Sequence, residues 1–191
     1  MWKAVGKMNW DEYFLSMACV VGQKSKCMSR HIGAVLVRDN RFIVGTGYNG
    51  VPIGVQDCSD PEVWKKRFNF MSLPKELKGP ITQCPRRLLG YQSGEGLHMC
   101  PAAHAERNAV DIAARMGQCT KGCSLYLTCN MVCLECAKTI IQAGISEIIC
   151  PQLLPYEKQP ITGKQLLQEA GILYRAYNCD YDKVLKEFGY L

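Results

Sequence analysis

Cys100-Pro-Ala-Ala-His104-Ala-Glu106-Arg-Asn-Ala-Val-Asp-Ile-Ala-Ala-Arg-Met116 is the stretch that decides how this chain folds. Ala105, Ala109, Ile112/Ala113 and Met116 recur at helical spacing, which predicts one apolar helix face stopped by Gly117. Of the three histidines in the chain, one lies here, at the helix start and two residues before Glu106. Downstream, residues 124–129 read as a strand and residues 133–143 as a helix with Ala137, Ile140 and Ile141 facing inward. A strand at 146–150, a helix capped by Thr162 and stopped by Gly171, a strand at 172–175 and a helix at 180–188 follow. Upstream, residues 10–24 carry Tyr13/Phe14, Met17/Ala18 and Val21 at helical spacing. Residues 31–38 and 42–48 are apolar runs joined by the tight turn Asp39-Asn40-Arg41, hence a hairpin.

A helix, a hairpin and then repeated helix–strand units predict an α/β fold, a three-layer α/β/α sandwich with a mixed five-stranded sheet. The length of 191 residues suits one domain spanning 1–191, with a cysteine-rich insertion at about 55–100. Inside the insertion, 62–71 reads as a helix, 73–80 as loop and 86–90 as a short helical turn. A long, weakly structured excursion is usually functional or pinned, and a metal is one candidate pin.

Hydrophobic content of 48% and charged content of 21% fit a soluble globular protein. No apolar run approaches the roughly 20 residues that span a membrane. The N-terminus lacks a secretory pattern. The expected location is cytoplasmic (host cytoplasm if the source is viral). The net charge of +6 suits an anionic ligand such as a nucleotide, or simply a mildly basic surface. There is no Lys/Arg block of the kind that tracks a nucleic-acid backbone. Twelve cysteines in a reducing compartment point to metal ligands and buried small apolar residues rather than disulfides.

Cys133 and Cys136 stand at i and i+3, so both sulfurs lie on one helix face and reach one ion. They fall at a helix N-terminus, where free N–H groups and the dipole favour the metal-binding thiolate. With His104 as third ligand, a tetrahedral ion keeps one open position. Catalytic zinc uses that position for water, whose pKa falls toward ~7. Glu106 is placed to move a proton from that water to a substrate. Each part alone has a plainer reading: a packed histidine, a redox or structural Cys-x-x-Cys, a helix-start acid. Together, in this order, they favour hydrolytic attack on an electrophilic carbon. Cys129 is a rival thiol, but it ends a strand and lacks the helical spacing of the pair.

His104-Ala-Glu106 followed by Cys133-x-x-Cys136 resembles the zinc-dependent cytidine deaminase superfamily, with its His-x-Glu…Pro-Cys-x-x-Cys signature. Val132 stands where that signature has proline. Proline pre-sets a helical turn and is no ligand, so local loosening without loss of zinc is expected. Within the superfamily the chain is most similar to deoxycytidylate (dCMP) deaminases, over roughly residues 10–175. Four stretches carry this: Ser25-Lys-Cys27 leading into Ile32-Gly-Ala-Val35, Thr46-Gly-Tyr-Asn-Gly-Val-Pro-Ile-Gly54, Ser93-Gly-Glu95, and His104-Ala-Glu-Arg-Asn-Ala109.

The resemblance implies hydrolysis of dCMP to dUMP and ammonia. Zinc-activated water adds at C4 of the cytosine, and Glu106 protonates N3 and then the leaving amine. It implies contacts from Asn49 to the sugar, from the Ala105 backbone to the base and from Tyr156 as a cap on the pocket. Arg30, Lys26 or Ser29 are the candidates for the phosphate. It also implies a hexamer activated by dCTP and inhibited by dTTP. Gly47, Gly50, Gly54 and Arg115 match the regulatory positions, and Mg2+ accompanies the triphosphate. Cys27, Cys58, Cys84 and Cys100 match thiol positions of relatives that carry a second, structural zinc, with His98 in reserve. Of the other cysteines, Cys19 and Cys150 are expected in the core, and Cys119 and Cys123 in a loop. Two other readings stay open. One is a deaminase of cytosine or adenine in tRNA or single-stranded nucleic acid, which needs a basic, aromatic-lined groove. The other is a non-catalytic zinc-stabilised module, against which Glu106 argues. Neither a membrane nor a polynucleotide is an expected partner.

Overall fold

Asp39 and Asn40 both take the left-handed backbone conformation, with φ of 54° and 52°. Short polar side chains tolerate that conformation, and the turn folds β1 (Gly33–Arg38) antiparallel onto β2 (Phe42–Tyr48). In this computed structural model, residues 8–68, 73–92, 94–155, 160–187 and 189 are described. The sheet continues through β3 (Ser124–Leu127), β4 (Glu147–Cys150) and β5 (Leu173–Ala176), in the order β2-β1-β3-β4-β5. β1 is antiparallel to β2 and β3, whereas β3, β4 and β5 run parallel. The helices are α1 (Trp10–Gly22), α2 (Pro61–Arg67), α3 (Pro85–Leu88), α4 (Ala105–Arg115), α5 (Leu134–Gln142), α6 (Gly163–Glu169) and α7 (Tyr181–Glu187).

Alternation along the central strands assigns the layers. Ala34, Leu36, Leu125, Leu127 and Ile148 face a core shared with α4, α5 and α6. Val35, Val37, Tyr126 and Ile149 face Phe14, Leu15 and Ala18 of α1 on the other side. The mixed five-stranded α/β/α sandwich read from the sequence is the fold observed. The capping box at Thr162 forms with Gln165. Among the described residues, no helix is long and apolar enough to cross a membrane.

The insertion departs from its expected looseness. Trp64, Leu77 and Ile81 make a small core of their own, against which Met28, Cys58, Phe68 and Met99 pack. The stretch read as loop at 73–80 contains a 3-10 turn, Lys75–Leu77, because Leu77 is fully buried there. The turn expected at 86–90 begins one residue earlier, with Pro85 supplying the fixed φ of a first helical position. The helix expected over 62–71 runs from Pro61 to Arg67, and positions 69–71 lie outside the described residues.

The face of α4 is narrower than its periodicity predicts. Ala105, Ala109 and Ala113 are fully buried, but Ile112 is 37% and Met116 67% exposed. The cause is a close approach between backbones. A Cβ on Gly45 would lie 2.4 Å from the Ala109 carbonyl oxygen, and one on Gly47 2.2 Å from that of Ala105. Only a stripe of alanines fits at that spacing, so Ile112 and Met116 are left outside. Gly47→Val is therefore expected to push α4 off the sheet and to lower stability by about 1–3 kcal/mol, read by chemical denaturation.

Candidate active site

The seating of α4 fixes the site, because His104 is the residue that caps its N-terminus. Cys133 is the N-cap of α5 and, unlike His104, closes its cap with the side chain, Sγ accepting the Cys136 N–H at 3.4 Å. The two helix starts meet. His104 Nδ1 lies 3.3 Å from Cys133 Sγ and 3.4 Å from Cys136 Sγ. All three ligand atoms lie within 4.8 Å of one another, and no other such set occurs among the described residues. Tetrahedral zinc with bonds of roughly 2.0 to 2.3 Å places neighbouring ligands about 3.5 Å apart, so the set fits the ion. Val132 is 1% exposed and packed into the larger core, so the loosening expected there is replaced by tight packing.

The electrostatics suit a cation at this point. The hydrogen bond from Cys136, aided by His104, holds the Cys133 thiol below the usual thiol range, and that same bond together with burial pushes Cys136 up. The Cys133 hydrogen bond raises the His104 imidazole, against the pull of burial. Glu106, 3% exposed in the first turn of α4, stands beside this set without belonging to it. Burial raises its carboxyl above the usual range, countered by the charge of His104.

One cleft reaches both His104 and Glu106, and Asn49, Arg30, Ser29, Arg86, Gly94, Leu97 and Cys129 are among its walls. Asn49 is buried. Its Nδ2 donates to the Arg30 carbonyl and its Oδ1 accepts from the Ile32 N–H, both at 2.8 Å, so it also braces the cleft wall. Ala105 is fully buried at the first position of α4. Of the phosphate candidates, Arg30 and Ser29 line the cleft, while Lys26 is turned to Asp57 at 3.0 Å. Tyr156 lies outside the described residues. Cys129 lines the cleft as a neutral thiol, raised by burial and by the Glu106 charge, and its S–H faces the Met131 carbonyl.

The remaining assignments are less gathered. No three of Cys27, Cys58, Cys84 and Cys100 meet the 4.8 Å spacing, although Cys58 feels the charges of Cys100 and Cys84. His98 stacks edge-on with Tyr91. Gly47 belongs to β2 under α4, Gly50 bridges Ala103, Gly54 has open space around it, and Arg115 is exposed in the last turn of α4. Cys19 and Cys150 are in the core as expected, but Cys123 is fully buried rather than a loop thiol, because β3 begins beside it. Arg86 carried no signal in the sequence beyond its place in a short turn.

Comparison with known proteins places the chain. The cytidine and deoxycytidylate deaminase zinc-binding region matches residues 8–152. A deoxycytidylate deaminase of Mus musculus is 34% identical over 182 residues, covering 95% of this chain and 86% of the mouse protein. A deoxycytidylate deaminase of Schizosaccharomyces pombe is 34% identical over 170 residues, but the chain spans only 44% of its length. The crystal structure of dCMP deaminase from the cyanophage S-TIM5, in complex with dCMP and dUMP, shares the fold. Its TM-score is 0.60 at 21% identity, and the match covers 91% of this chain and all of that one. With the zinc-binding region matched over residues 8–152 and 34% identity shared across 95% of its length, the chain belongs to the cytidine and deoxycytidylate deaminase family.

Proposed function

We propose that this chain hydrolyses dCMP to dUMP and ammonia, with zinc held by His104, Cys133 and Cys136. The observation that carries this is the buried Glu106 in the cleft beside the ligand set but outside it. A structural site has no use for such an acid. When bound, zinc supplies a Lewis acid that lowers the pKa of water. Glu106 then holds the proton that water gives up, delivers it to N3 of the cytosine and carries a second to the departing amine. The C4–N bond breaks, a C4–O bond forms, and ammonia leaves. Asn49 and the Ala105 backbone hold sugar and base, and the burial of Glu106 shields its proton from bulk solvent.

The same reading extends to regulation: a cytoplasmic, single-domain subunit of a hexamer, activated by dCTP with Mg2+ and inhibited by dTTP through the 47–54 loop and Arg115. The exposed apolar side chains of Ile53 and Met116 support a buried subunit surface beside those positions. A structural zinc on Cys27, Cys58, Cys84 and Cys100, with His98 in reserve, extends it further, and it requires these thiols to draw closer than they stand here. Initial rates on dCMP, CMP, deoxycytidine and an oligonucleotide, with and without dCTP and dTTP, test the whole proposal. Ammonia from dCMP and none from the oligonucleotide is expected. Preference for the oligonucleotide would favour a polynucleotide deaminase instead. Analytical ultracentrifugation and zinc content test the hexamer and the second ion.

A further inference from the structure

The insertion places one cation in the catalytic cleft with a donor left over. Arg86, in α3, lines the cleft that also holds Glu106 and His104. Its position is fixed from several sides. Pro85 before it is buried, the Tyr91 N–H bonds the Arg86 carbonyl at 2.9 Å, and Nη1 donates to the Glu95 carbonyl. Nε, by contrast, is buried and has no hydrogen-bond partner. Buried polar groups are almost always paired, and an unpaired donor on a charged group is the more costly case. With Nη1 occupied, the Nε–Nη2 edge of the guanidinium remains, and that edge matches two oxygens of one phosphate or carboxylate.

Among the described residues, no polar group supplies the missing acceptor. Asn49 Oδ1 is taken by the Ile32 N–H. A bound anion would complete the guanidinium edge. Arg30 gives the cleft a second cation, and its backbone is braced by Asn49. We propose that Arg86 recognises the 5′-phosphate of the substrate through this edge and so selects nucleoside monophosphates over nucleosides. The proposal rests on the reading of the cleft as a cytosine-nucleotide site. It also explains what the insertion is for, since its small Trp64, Leu77 and Ile81 core carries the helix that presents the phosphate-binding residue.

The test compares kcat/KM on dCMP and on deoxycytidine for the full chain and for Arg86→Ala and Arg86→Lys. The Ala substitution is expected to lower the value for dCMP by about 10- to 100-fold, mostly through KM, and to leave deoxycytidine nearly unchanged. Lysine keeps the charge but loses the two-pronged edge, so it recovers the preference only in part. If deoxycytidine turns over too slowly to measure, inhibition by dUMP against deoxyuridine gives the same comparison. Equal losses with both ligands would reduce Arg86 to a support for the 94–96 loop and overturn the proposal, as would no loss with dCMP. A wild-type chain that releases ammonia from neither substrate would instead defeat the underlying reading of the cleft.

Discussion

Glu106→Gln is expected to lower kcat for ammonia release from dCMP by about 10²- to 10⁴-fold, near the upper end because two proton transfers depend on one group. The fold and the metal content are expected to survive. Glutamine has the same shape and fills the same buried space, so no cavity opens beneath α4. The residue is not one of the three ligands, whose atoms close on one another without it. What the amide lacks is the ability to accept and return a proton. The environment of Glu106 prepares it for proton transfer, because burial raises its carboxyl and it takes up a proton more readily than an exposed glutamate. Zinc measured by atomic absorption, thermal unfolding and an ammonia assay on one preparation separate the outcomes. Full activity in the variant would end the role given to Glu106, whereas loss of zinc would make it a structural neighbour of the site.

Removing the metal is expected to act on both stability and rate. His104, Cys133 and Cys136 come from two helix N-termini that are far apart in sequence, so an ion held by all three ties α4 to α5. Binding only to the folded chain stabilises by about 4 kcal/mol at 1,000 times the dissociation constant. For a chain of this length that amounts to roughly 8–16 °C in Tm. Dialysis against a chelator should lower Tm on that scale and abolish turnover, and adding back zinc should restore both. Cys136→Ser removes a thiolate and should show the same loss without recovery on zinc addition. An unchanged Tm in the stripped protein would mean that the helix packing alone holds the two termini together. Gly45 and Gly47 seat α4 on β2 but do not tie it to α5, which is the link the metal adds.

Much of the site was legible because its grammar is local. Cys133 and Cys136 share a helix face by spacing alone, and Glu106 follows His104 by two residues on a helix start. The strands declared themselves by apolar runs, and the β1–β2 turn by Asp39-Asn40. Helix ends were legible within a residue or two through Gly117, Thr162 and Gly171. The insertion was not, because its order depends on three apolar residues, Trp64, Leu77 and Ile81, spread over a segment without a regular period.

Residue types at short separations were enough for the α/β/α layering, for the Cys133/Cys136 pair and for the His104/Glu106 pair, each taken singly; the fold brings the two pairs together. The tertiary structure alone decided which of the remaining residues share the cleft. Periodicity put Ile112 and Met116 inside, but the glycine-mediated contact of β2 with α4 left room only for alanines. The resemblance offered Lys26 as a phosphate contact, but Asp57 claims it. Arg86 reaches the cleft from an insertion whose path follows its own small core, with an unpaired Nε that only the folded arrangement reveals. Contacts of that kind depend on where distant segments come to rest, and no spacing along the chain encodes them.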